Sequence, residues 1–312
     1  VGVQDRLSVE VVSSRIEDYA LIGDCESAAL VSLQGSIDWL CWPRFDSDAC
    51  FAALLGSEDN GRWLITAQDE SARISRRYRG NTLIVETVFE TADGCVRLID
   101  FMPPGDGRSD LMRVVVGERG QVAMRTELIV RFGYGNAVPW VTRQGDRTWR
   151  MIAGSDMVTL HTPVEMRGEN LRSIADFVVA AGDVVPFALT YSPSYQPLPE
   201  AVEVEPALRA TEKFWTDWAA QSQLNGGKHA DAVMRSLLTL RALIYAPTGG
   251  IVAAVTTSLP ERSGGDRNWD YRFCWLRDAT LTLLAFMDAG YHEEAGAWRD
   301  WLVRAIAGSP DQ

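Results

Sequence analysis

The chain has 312 residues, room for about two domains, and its 46% apolar and 23% charged residues are an ordinary globular composition. Its 30 Lys and Arg face 42 Asp and Glu, a net charge of −12. That balance argues against a nucleic-acid backbone or an anionic membrane leaflet as partner, because both call for a basic surface. A neutral substrate is indifferent to it.

Five scattered cysteines (Cys25, Cys41, Cys50, Cys95, Cys274) form no C-x-x-C pair, and their odd number rules out full pairing within one chain. They read as small apolar residues in a reducing cytoplasm. His161, His229 and His292 do not approach helical ligand spacing, so metal catalysis through imidazole is not expected. Asp5, Arg6, Glu10 and Arg15 leave no apolar stretch for a signal peptide, although a chain beginning at Val1 keeps a removed leader open. No run reaches the roughly 18 apolar residues of a membrane span. A cytoplasmic location is expected.

In chain order, the first 199 residues predict strands. Gln34-Gly35 reads as a hairpin turn, which makes Asp38 a solvent-facing strand residue and Asp46 a turn or cap residue. Short β-branched runs follow at Thr82–Phe89 and Cys95–Asp100, joined by Ala92-Asp93-Gly94. Leu111–Val116, Arg125–Phe132, Thr148–Ile152, Phe177–Val179 and Phe187–Tyr191 continue the series. Many short strands without intervening helices imply an antiparallel sandwich.

Ser192 to Pro206, with four prolines, suits an extended connector. Beyond it the period becomes helical. Val233, Leu237, Leu240 and Ile244 form one stripe, stopped by Pro247 and Gly249-Gly250. A second helix is expected over Leu276–Ala289, ended by Gly290, and a third over Glu293–Ile306 with Ala297, Trp301 and Ala305 on one face. Three helices with broad apolar faces do not close a helical barrel, so the chain is expected to be part of a longer parent.

The densest chemical cluster is Asn268-Trp269-Asp270-Tyr271-Arg272-Phe273-Cys274-Trp275-Leu276-Arg277-Asp278-Ala279, at a helix entrance, with two Arg–Asp opportunities. An aromatic ring can cover the apolar face of a pyranose, while a carboxylate beside a guanidinium satisfies its hydroxyls through charge-assisted bonds. The plainer alternative is a dipole-favoured carboxylate, a surface base and core aromatics. On physics alone the two stay open.

The stretch Gly249–Glu261, followed by Asn268–Arg272 and Trp275–Asp278, resembles the barrel entrance of glycoside hydrolase family 15, which contains glucoamylases, bacterial trehalases and glucodextranases. Ile16–Glu26 and Gly35–Ser47 resemble the sandwich of its bacterial trehalase-like branch. The resemblance spans nearly the whole chain. It implies a multi-domain β-then-α fold: an antiparallel β-sandwich over residues 1–199, a linker and connecting helix over 200–225, and the first helices of an (α/α)6 barrel over 226–312. By it, Arg277 and Asp278 match the pair that grips the non-reducing glucose, and Tyr271 and Trp275 match aromatic positions of the same pocket. Val255 departs from the proline expected there, which touches loop rigidity only.

The family inverts the anomeric centre with a carboxylic acid and a carboxylate held roughly 6.5–9.5 Å apart. Both are glutamates in later barrel motifs, expected beyond Gln312. No catalytic residue is therefore assigned here, and the 312 residues alone are expected to be inactive. Glu293 and Glu294 read as an acidic first helical turn. Asp24, Glu26, Asp38 and Asp46 are declined as substitutes. The loop Trp42–Asp46 has a second reading, in which it reaches across and narrows the sugar pocket. The implied partners are neutral α-linked glucosides such as trehalose and maltooligosaccharides, with no cofactor and homo-oligomerisation left open. A carbohydrate-binding module without turnover and a disaccharide phosphorylase are the alternatives.

Overall fold

The structure, a computed structural model, describes residues 15–105, 107–224, 226–262 and 265–307. Two antiparallel sheets occupy most of the chain up to Pro193. The first runs Tyr19–Gly23, Ala28–Ser32, Ser36–Cys41, Arg62–Ala67, the second half of Ser109–Ile129, then Arg172–Ala180. The other runs Arg73–Tyr78, Val85–Glu90, Gly94–Phe101, the first half of Ser109–Ile129, Val184–Pro193, Asp156–His161, Thr148–Ala153 and Trp140–Gln144.

The sequence leads one to expect two strands, Leu111–Val116 and Arg125–Phe132, where the structure has one that serves both sheets. Gly117 and Gly120 let it change sheets. A Cβ on Gly117 would lie 1.9 Å from the Ala180 carbonyl oxygen, and Gly120 adopts φ +60° with the Asp93 carbonyl as close. Only glycine fits there.

Trp63, Phe89, Leu98, Leu128 and Phe187 belong to the large cluster buried between the sheets. Arg113 is fully buried within the sandwich. Its Nε donates to Asp100 Oδ1 at 2.8 Å, and its two terminal nitrogens donate to the carbonyls of Trp63 and Gly35, each at 2.6 Å. A charge survives burial only when paired and bonded in this way.

The last sandwich strand reaches Pro193, and helix α1 covers Val204–Ala219, so the extended connector is shorter than its prolines suggest. Pro206 sits in the first turn, where a missing N–H costs nothing. Val204, Ala207 and Leu208 pack on Ile99, Phe101, Met112 and Val114 of the second sheet. Trp215 and Trp218 join Leu237, Leu238, Phe286 and Tyr291 in a helical core that also takes in Cys25 and Leu83 of the sandwich.

Helix α2 (Ala230–Ala242) buries Leu237, Leu238 and Ala242. The expected stripe is displaced: Val233 is exposed, and Ile244 lies past the helix end, in a two-residue strand paired with Gly250–Ile251. Helix α3 spans Leu276–Asp288 and α4 spans His292–Ala305. On α4, Ala297 and Ala305 are exposed, and Trp298 and Trp301 are the half-buried rings. The stripe has rotated because α4 packs on α3 and on the Gly250–Ile251 strand together.

Leu243, Val252 and Val255 cluster with Ala28, Trp39, Cys41 and Phe45 of the sandwich. The Trp39 indole N–H donates to the Val255 carbonyl at 2.6 Å. With both faces of Ser36–Cys41 covered, every residue of that strand is buried. Asp38 is therefore not solvent-facing; it accepts from the Tyr19 hydroxyl at 2.8 Å and from the Ser36 hydroxyl.

Replacing Asp100 by Ala leaves Arg113 buried and unpaired, and is expected to lower unfolding stability by about 3–5 kcal/mol. Urea denaturation at constant slope measures it, and a loss below about 1 kcal/mol would show that the pair does not anchor the sandwich.

Candidate functional site

The loop after Cys41 turns through a cis Trp42-Pro43 bond and carries Arg44, Phe45 and Asp46 to the helical part. Arg44 grips Asp46 with two bonds, 2.9 Å from Nε to Oδ1 and 2.6 Å from Nη2 to Oδ2, and lies 5.9 Å from the Tyr245 ring centre. These three residues share a cleft of about 230 Å³ with Tyr245, Phe273 and Trp301. The loop thus does reach the helical part.

Opposite stands the segment that leads into α3. Its backbone is tied down by Ala254 N–H to the Tyr271 carbonyl (2.8 Å) and Ala253 N–H to the Phe273 carbonyl (3.1 Å). Arg272 is 6% exposed. It holds Asp270 through Nε to Oδ1 (3.1 Å) and Nη2 to Oδ2 (2.9 Å), while Nη1 donates to the carbonyls of Ser47 (2.6 Å) and Phe45 (3.3 Å). Burial would raise the Asp270 carboxyl, but the bonds from Arg272 outweigh it and hold the group below its ordinary range.

Tyr271 and Trp275 are half-buried with ring centres 5.5 Å apart, and Trp269 meets Trp275 edge-on at 6.2 Å. The Trp275 indole N–H donates to the Asp270 carbonyl at 3.1 Å. Trp275 is the N-cap of α3, and Asp278 sits in its first turn, where the helix dipole favours a carboxylate. Arg277 Nη2 donates to Asp278 Oδ2 at 3.0 Å, with the two side chains 69% and 34% exposed.

The four residues singled out from sequence therefore stand on one short stretch, as an aromatic pair followed along the chain by an ion pair. None of them is a wall of the cleft of Arg44 and Trp301. Sequence reasoning passed over the bonds that Arg272 makes to the sandwich. The spacing of Asp270-Tyr271-Arg272, like that of Arg44-Phe45-Asp46, signals an ion pair within each segment but not the bonds to the Phe45 and Ser47 carbonyls.

Residues 9–189 match the family model described as trehalase-like, N-terminal, and residues 227–312 match glycosyl hydrolases family 15. The chain belongs to glycoside hydrolase family 15, in its trehalase-like branch. It is 31% identical to a trehalase of Mycolicibacterium smegmatis over 90% of this chain and 46% of that protein. A trehalase of Thermoplasma volcanium is also 31% identical, over 90% of this chain and 46% of the relative. A bacterial glucoamylase solved with acarbose has a TM-score of 0.66 at 13% identity, covering 94% of this chain and 50% of that one, a likeness of fold alone. The chain spans about half the length of the curated relatives it matches.

Other polar groups near the boundary have structural partners. Glu294 lies in the first turn of α4 as expected, yet it also reaches inward, accepting from the Trp218 indole at 2.6 Å and lying 3.6 Å from Arg241. Cys25, Cys41 and Cys50 are buried, and all five cysteines are free thiols. Among the described residues no three His, Cys, Asp or Glu side chains gather as metal ligands, and no helix is long and apolar enough to cross a membrane.

Asp24 is buried with its Oδ1 accepting from the N–H groups of Glu26 (2.8 Å) and Ser27 (2.7 Å). Burial pushes its carboxyl up to about 7 against those bonds. The folded chain then holds this proton more tightly than the unfolded one. Its favourable share of stability is complete below the ordinary carboxylate range and is lost as pH rises through about 7. Asp24→Asn can keep both backbone bonds and no longer titrates. Against wild type, it is expected to gain on the order of 3 kcal/mol between pH 4 and pH 8, read from urea unfolding at both values. A constant difference across that range would contradict the assignment.

Proposed function

We propose that this chain carries the glucose-gripping half of an inverting, exo-acting α-glucoside hydrolase of trehalase or glucoamylase type. On this reading residues 1–199 are the sandwich, 200–225 a connecting segment, and 226–312 the opening helices of an (α/α)6 catalytic module. The observation that carries it is the stretch from Tyr271 to Asp278, where two packed aromatic rings adjoin an ion pair at a helix start. That the relatives from Mycolicibacterium smegmatis and Thermoplasma volcanium are trehalases supports the substrate class.

Chemically the division of labour is plain. Trp275 and Tyr271 would cover the apolar face of one glucose ring, expelling water from it at little entropic cost. Asp278 would accept hydrogen bonds from neighbouring hydroxyls, while Arg277 donates to a ring or hydroxyl oxygen; both are charge-assisted and strengthen as water leaves. Their mutual 3.0 Å contact holds them ready for that exchange. Proton transfer falls to a separate pair of carboxyl groups, set apart far enough to admit the attacking water. We place that pair outside residues 1–312, which leaves the 312 residues by themselves binding sugar without cleaving it.

The helical surface fits the same proposal. Leu276, Leu281, Leu284 and Met287 of α3, with Val303 of α4 and Ile306 just past its end, are exposed apolar side chains on helices whose other faces are packed. Further barrel helices would cover them.

In the complete gene product, Asp278→Ala is expected to lower kcat/KM on the preferred α-glucoside by about 3–5 kcal/mol of transition-state binding, with the β-anomer of glucose appearing first by NMR in the wild type. A variant with near wild-type kcat/KM would contradict the assigned grip, and first release of the α-anomer would contradict inversion.

A further inference from the structure

We infer that Arg272 is a positioning residue, through which the sandwich loop at residues 42–47 sets the place of the sugar-gripping stretch. The inference rests on the proposed function for what that stretch grips, and on geometry for the rest.

Arg272 touches both modules at once. Toward the sandwich it donates to the Phe45 and Ser47 carbonyls and lies 3.5 Å from the Cys41 sulfur, with Tyr134 stacked 5.6 Å from its carbon centre. Toward its own segment it closes a two-bond fork on Asp270, whose Oδ1 also accepts the Arg272 backbone N–H at 3.0 Å. The Asp270 carbonyl in turn takes the Trp275 indole proton. A continuous line of bonds therefore runs from the loop carbonyls, through Arg272 and Asp270, to the residue that caps α3.

Tyr271 lies between the two members of the fork in sequence, and Arg277 and Asp278 follow the cap after Leu276 in the first turn of α3, so the backbone that carries all four is moored at that line. Arg272 borders the cleft of Arg44 and Trp301 but is only 6% exposed, with its donors taken up by Asp270 and the loop carbonyls. Its planar guanidinium is what allows simultaneous bonding in two directions; an ammonium in the same place keeps the charge and loses the bridge. Displacements of about 1 Å in groups that orient a substrate can cost about 100-fold in rate.

Arg272→Gln, Arg272→Lys and Asp270→Asn test the claim, the last being the mildest because Arg272 keeps its sandwich bonds. In this chain, amide hydrogen exchange of residues 270–278 is expected to speed up by about tenfold or more in all three, with the strands at 62–67 and 172–180 unchanged. In the complete gene product, kcat/KM on the preferred α-glucoside is expected to fall about 100-fold in both Arg272 variants and about tenfold in Asp270→Asn, at temperatures where each is fully folded.

Lysine behaving like glutamine marks loss of the bridge; rescue by lysine would mean that charge alone matters and would overturn the proposal. So would unchanged exchange at 270–278, or a lowered melting temperature with wild-type kcat and KM, the signature of a purely structural role. If the wild-type gene product cleaves no α-glucoside, the proposed function fails, and the exchange measurement still decides whether Arg272 positions the stretch.

Discussion

The buried guanidinium of Arg272 is the constraint around which both parts of the molecule are arranged. A cation removed from water is tolerable only when its donors are met. Here they are met from two directions, by a carboxylate two residues away and by carbonyls some 225 residues earlier in the chain. The loop at 42–47 must therefore present its carbonyls inward, and the segment before α3 must approach the sandwich closely. The apolar contacts of Trp39 and Phe45 with Leu243, Val252 and Val255 supply area; the guanidinium supplies direction.

Two Arg–Asp pairs face each other across this boundary and differ in consequence. Arg44 and Asp46 close on each other at a partly exposed rim, where such a pair contributes little to stability. Arg272 and Asp270 form the same fork with the Arg buried, so removing one partner leaves a costly charge behind. The first pair lines the cleft beside it. The other fixes geometry.

Much of this was legible in the residues. Alternation and turn chemistry marked the sandwich, and the Gly35 turn is where it was expected, its N–H bonded to the Ser32 carbonyl at 3.0 Å. What failed, failed where tertiary packing overrides a local pattern. Asp38 reads as exposed after the Gly35 turn and is buried instead, held by the Tyr19 and Ser36 hydroxyls of the sandwich. Leu111–Val116 and Arg125–Phe132 read as two strands, whereas the structure makes them one, bent at Gly117 and Gly120. The stripe from Val233 to Ile244 misses the true buried face because α2 stops at Ala242, where the hairpin of Tyr245 and Gly250 takes over. The stretch from Tyr271 to Asp278 was found by composition and resemblance. Its mooring through Arg272 was not, since no spacing rule links position 272 to carbonyls at 45 and 47.

The most direct test of the account is a crystal structure of the complete gene product with a glucose-configured inhibitor. The account predicts one sugar ring against Trp275 and Tyr271, its hydroxyls within 3.2 Å of Asp278 and Arg277 as ordinary hydrogen bonds require, and Arg272 still bonded to the loop beneath. A ring seated elsewhere, with those four side chains facing only water, would contradict it.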